Sequence, residues 1–127
     1  MTLMTDISNL ETPHDVPITR MLRTVEAGEP DAVGVNCSID AERMVRAVVE
    51  LRQATNLPVL AKPQAKISVK CATSQPSETA EHFARHAVRL FEAGAAAVGG
   101  CCGAGPDFIR SLRELLDQRA VAHAEVQ

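Results

Sequence analysis

Apolar residues recur along this chain in two rhythms. Between Val16 and Ala27, Ile18, Met21, Leu22 and Val25 fall at helical spacing, with Pro17 suited to a first turn and Gly28 to a stop. Asp31 to Asn36 is a short apolar run with two valines, which predicts a buried strand. Asp40 can then cap a helix reaching Ala54, with a stripe of Met44, Val45, Val48, Val49 and Leu51, and Asn56 can end it. Leu57 to Ala61 predicts a second strand, because Pro58 is tolerated only at a strand's start.

The pattern repeats once more. Gln64 to Pro76 is the longest irregular stretch. Ser77 is placed to cap a helix reaching Ala93, with Phe83, Ala84, Ala87, Val88 and Phe91 inward and Gly94 closing it. Ala95 to Gly99 predicts a third strand, Gly100 to Gly105 a glycine-rich turn, and Pro106 to Arg119 a last helix carrying Phe108, Ile109, Leu112, Leu115 and Leu116. Met1 to Thr12 is expected to be a mobile start. Strands alternating with helices at this spacing predict an α/β fold with a parallel sheet. Ligands of such sheets gather at the C-terminal strand ends, where Cys37, Pro63 and Cys101 all fall.

Composition narrows the chemistry. The 127 residues fit one domain, with a net charge of -3 and basic residues scattered rather than striped, so nucleic acid is not the expected partner. Tyr and Trp are absent, which argues against a base-stacking surface. No apolar run approaches the roughly 18 residues of a membrane helix. The first ten residues lack a basic start followed by an apolar block, so the cytoplasm is the expected compartment.

In a reducing compartment the four cysteines point to metal or redox chemistry rather than disulfides. A lone Cys37 more often packs as a small hydrophobe. The pair Cys101 and Cys102 differs: it is flanked by glycines at a strand end. A parallel sheet brings its turn beside that of Cys37, and three thiolates there suit zinc while leaving a fourth position free. Cys71 has no partner at a matching spacing. His82 and His86 lie four apart on a helix but share their face with Arg85 and Arg89, which predicts a solvated face. Gly99 to Gly105 before a helix could instead cradle a phosphate, though no Walker lysine is present. Lys62 at a strand end could meet an anion, with solvent as the default.

Gly-Val-Asn-Cys at 34–37, Lys-Pro-x-Ala at 62–65, and Gly-Gly-Cys-Cys-Gly at 99–103 with Pro106 opening the next helix resemble the homocysteine S-methyltransferase family. The resemblance runs from about Ile18 to Leu116. It implies that Cys37, Cys101 and Cys102 bind Zn2+, with Asn36 and Gly100 shaping the substrate site. It implies methyl transfer from a donor to homocysteine, giving methionine, in a (β/α)8 TIM-type barrel. That barrel needs eight units and about 250 residues, and three strands are predicted here. The whole chain, 1–127, is therefore expected to be a partial homocysteine-binding domain, the last part of a barrel. The family's usual Pro-Asn-Ala-Gly becomes Pro63-Gln64-Ala65-Lys66. A truncated or split enzyme follows, or a non-catalytic zinc-, thiol- or phosphate-binding module. Exposed sheet edges predict self-association or a complementary N-terminal half.

Overall fold

The computed structural model describes residues 2–3, 17–37, 39–65 and 78–124. Its elements run β1 (Thr2–Leu3), α1 (Ile18–Glu26), β2 (Val33–Asn36), α2 (Ala41–Ala54), β3 (Val59–Lys62), α3 (Ala80–Glu92), β4 (Ala97–Val98) and α4 (Pro106–Ala124). The strands form one parallel sheet in the order β1-β2-β3-β4. Each strand thus pairs with its successor after one helical crossover. Crossovers of one hand in sequential order lay all the helices on one face. The contacts agree, since α1 packs on α2, α2 on α3 and α3 on α4.

Strand alternation divides the sheet. Val33, Val35, Val59 and Ala61 are fully buried beneath the helices. A buried valine side chain contributes roughly 1.5–3 kcal/mol. The opposite face carries Asn36 and Leu60, half-buried, and Lys62 and Ala97, exposed. Among the described residues, no helix covers it. Gly34 also lies there, where strands β2 and β3 approach closely: a Cβ added at Gly34 would sit 2.1 Å from the Leu60 carbonyl oxygen.

The helices supply the rest of the core. Asp40 caps α2 by accepting a hydrogen bond from the Arg43 N–H at 3.0 Å. Thr79, rather than the expected Ser77, caps α3 through the His82 N–H; Ser77 lies outside the described residues. Phe83 of α3 meets Phe108 of α4 edge-on, ring centres 5.4 Å apart. The Thr55 hydroxyl donates to Glu26 Oε1 at 2.5 Å and ties the end of α2 to α1.

Several expectations are corrected. Thr2–Leu3 pairs with Gly34–Val35 as a fourth strand, inside the segment expected to be a mobile start. Two residues are too few for a strand pattern, and the ladder with β2 defines this one. Val49 and Ile109, expected on inner stripes, are exposed, while Ala47 and Leu90 are buried in the core. His82 is not simply solvated: its Nδ1 lies 2.7 Å from the buried Glu78 carboxylate. The His86 ring stacks at 4.6 Å from that of His82, with its own Nδ1 buried and unpartnered among the described residues.

Candidate metal centre

Cys37 follows β2, and Cys101 and Cys102 follow β4, so the sheet order leaves the post-β3 segment between them. That segment binds both cysteine loops through its main chain. The Cys37 N–H donates to the Lys62 carbonyl at 2.9 Å, and the Cys101 N–H donates to the Pro63 carbonyl at 2.9 Å. The Ala65 N–H returns a bond to the Cys102 carbonyl at 3.0 Å. Residues 62–65 therefore act as a bracket that sets the distance between sulfurs sixty-five positions apart in sequence.

Two local distortions aim the sulfurs. Cys37 itself takes a left-handed conformation, φ +59°, which a side-chain-bearing residue adopts at a cost of about 1–2 kcal/mol. Its carbonyl accepts from the Ile39 N–H at 2.7 Å, turning the chain at once into α2. At the other loop, the Ala104 N–H donates to the Cys101 carbonyl at 3.1 Å, and Gly103 takes φ +79°. A Cβ at Gly100 would meet that of Ala104 at 2.5 Å, so the turn closes only over glycine.

The outcome is a cluster. The sulfur atoms of Cys37, Cys101 and Cys102 all lie within 4.8 Å of one another, and Cys37 Sγ is 3.4 Å from Cys102 Sγ. Cys37 and Cys101 are half-buried and Cys102 is exposed. Crowding shows in the acidity. Hydrogen bonds with Cys37 and then Cys101, and the negative charge those thiols would carry, push the Cys102 thiol up to about 11. A cation among the sulfurs would offset that crowding at Cys102.

The donor set fits such a cation. Zinc–sulfur bonds of about 2.3 Å at a tetrahedral centre put sulfurs roughly 3.8 Å apart, inside the span the cluster covers. Asn36, the last residue of β2, stands in register with Lys62 on the open face. Gly100 belongs to the turn that carries the vicinal pair. Cys71 and Lys66 lie outside the described residues, while Gln64 lies in the bracket, its N–H donating to the Ile39 carbonyl at 3.1 Å.

Residues 1–116 match the family model described as homocysteine S-methyltransferase. The chain belongs to the homocysteine S-methyltransferase family. It is 34% identical over 96 residues to a methionine synthase of Mycobacterium leprae (strain TN), a match covering 72% of this chain and 8% of that protein. It is 31% identical over 97 residues to homocysteine S-methyltransferase 3 of Arabidopsis thaliana, covering 72% of this chain and 27% of that one. The oxidised form of the homocysteine methyltransferase MmuM from Escherichia coli superposes with a TM-score of 0.63 at 25% identity, covering 82% of this chain and 32% of that one. The metallated form of the same enzyme shares the fold, with a TM-score of 0.65. The chain thus spans between 8% and 34% of the length of these relatives. None of the helices among its described residues is long and apolar enough to cross a membrane.

Proposed function

We propose that this chain is the zinc-binding part of a homocysteine S-methyltransferase, in split or shortened form, and that Cys37, Cys101 and Cys102 hold the metal. The observation that carries this reading is the convergence of three sulfurs within 4.8 Å at the C-terminal end of a parallel sheet. Zinc bound there supplies the positive charge that lets a substrate thiol, with a pKa near 8.5, act as thiolate at neutral pH.

The protein's own residues account for the rest. Half-buried Cys37 and Cys101 anchor the cluster, and exposed Cys102 leaves its solvent side open to a ligand. The bracket at 62–65 holds the two loops at a fixed separation, so the site is organised before substrate arrives. Asn36 and Gly100 border the approach. The reaction moves a methyl group to the homocysteine sulfur. A sulfur–carbon bond forms, the bond from methyl to donor breaks with its electron pair leaving on the donor, and the thiol proton is released. Donors able to leave in this way include a sulfonium, a quaternary ammonium and a methyl-cobalamin. In the family the amino and carboxylate ends of homocysteine are held by strands with no counterpart among these four. Turnover therefore draws on groups from beyond this chain, in the cytoplasm, as the missing part of a (β/α)8 barrel.

Metal analysis with X-ray absorption tests the reading. Purified protein is expected to carry one zinc per chain with a sulfur shell at about 2.3 Å, and to gain one further sulfur on adding homocysteine. Cys102→Ser is expected to lose the metal. A shell of nitrogen and oxygen alone, or zinc retained in full by Cys102→Ser, would sink it.

A further inference from the structure

Lys62 ends β3 and is the only charged residue in β2, β3 and β4. Strand alternation sends it to the face away from the helices, where it stands in register with Asn36. Gly99, one residue past the Ala61–Val98 pair, flanks it on the other side. The Lys62 stem leans that way, since a Cβ added at Gly99 would lie 3.6 Å from Lys62 Cγ. Gly99 leads directly into the turn of Cys101 and Cys102. The Lys62 carbonyl meanwhile accepts from the Cys37 N–H at 2.9 Å. One residue therefore reaches both cysteine loops, one by its main chain and the other by its side chain.

An exposed lysine ordinarily keeps its charge in water and meets nothing. The charges around Lys62 set it apart. Among the described residues, none of the ion pairs includes it. The acidic residues that follow the cysteine loops, Asp40, Glu42 and Asp107, sit at the starts of α2 and α4, where the helix dipole already favours them. The sulfur cluster is different. A divalent ion with three cysteine thiolates carries one net negative charge, and a thiolate ligand from outside makes it two. Metal uptake releases the thiol protons, so this negative charge appears only as the site fills. A fixed cation on the same rim favours the filled site over the empty one.

We propose that Lys62 supplies the counter-charge of the metal–thiolate centre, stabilising the filled site and the added sulfur of a thiol substrate without ligating either. This rests on the metal reading above. In a completed (β/α)8 barrel the face that carries Lys62 turns inward, where less water separates the charges and the attraction grows.

Zinc affinity of the full chain, read by competition with a chromophoric chelator, tests it without turnover. Lys62→Gln is expected to bind zinc about 5- to 10-fold more weakly than the parent, and Lys62→Glu about 30- to 100-fold more weakly. Lys62→Arg, which keeps the charge, is expected to stay within about twofold of the parent. All three are expected to keep the parent's circular dichroism, because the side chain is exposed. The gap between the parent and Lys62→Gln is expected to shrink in about 1 M KCl, since salt screens an exposed charge and leaves packing alone. On zinc-loaded protein, calorimetric titration with β-mercaptoethanol and with homocysteine is expected to show Lys62→Gln weakening both thiols by the same factor. Equal zinc affinity in the parent and Lys62→Gln overturns the proposal and leaves the metal reading standing; a parent that holds no zinc overturns both. Lys62→Arg binding as weakly as Lys62→Gln, or a gap that salt does not narrow, also overturns it. So does weakening confined to homocysteine, which would make Lys62 a carboxylate-binding group instead.

Discussion

Replacing Gly34 by alanine offers a direct measure of how tightly β2 and β3 are joined. The new Cβ would stand 2.1 Å from the Leu60 carbonyl oxygen and 2.9 Å from its carbon, both main-chain atoms that no rotamer change can move. Even a Cα–H···O contact holds carbon and oxygen roughly 3.3 Å apart, so the strands must part locally by roughly 1.2 Å. The bonds on either side are short: the Val33 N–H to the Pro58 carbonyl at 3.0 Å and the Cys37 N–H to the Lys62 carbonyl at 2.9 Å. Opening by that amount carries both beyond useful length. Two backbone bonds at about 1 kcal/mol each, with a small overpacking cost, give a loss of about 3 kcal/mol. For a chain of this length that corresponds to a fall in Tm of about 10 °C.

Thermal melts followed by circular dichroism, at equal chain concentration, read this directly. Gly99→Ala on the same rim is the control, since a Cβ there meets only the Lys62 stem at 3.6 Å, an ordinary contact. Its Tm is expected to stay within about 2 °C of the parent. If Gly34→Ala melts with the control, the strand approach is not tight and the reasoning from it fails. Because the displaced bond is the one that holds Cys37, Gly34→Ala is also expected to lower zinc content.

Two further outcomes follow from the same atoms. Asp40→Ala removes the acceptor for the Arg43 N–H at the start of α2 and is expected to cost about 1 kcal/mol in urea unfolding, with Asp40→Asn losing much less. In metal-free protein, the Cys102 thiol is raised from 9.0 to about 11, so the fold holds that proton more tightly than the unfolded chain does. The associated stability is complete below about pH 9 and is lost as the pH rises toward 11; Cys102→Ser is expected to flatten the dependence over that window in melts run with a chelator.

Much of this was readable from the residues alone. Helices α2, α3 and α4 follow their apolar stripes, because burial against a sheet demands one continuous face, and Asp40 announced its cap. The meeting of Cys37 with Cys101 and Cys102 followed from parallel topology, which returns every strand to the same rim. What the sequence concealed was made by the main chain or by distant partners. Thr2–Leu3 is a strand only because Gly34 and Val35 lie beside it. His82 finds the carboxylate of Glu78 one turn before it, in a position where spacing alone suggested solvent. The left-handed turn at Cys37 has no local signature, since glycine is the residue that usually marks one.

The post-β3 segment grips both cysteine loops with carbonyl and amide groups, which every amino acid supplies except for proline's missing N–H. Exposed Lys62 and half-buried Gln64 thus have steric room to vary, whereas buried Pro63 and Ala65 and the path of the segment do not. The exchange of asparagine for Gln64 leaves this framework untouched, and the same framework offers evolution a place to vary what surrounds the sulfurs without moving them.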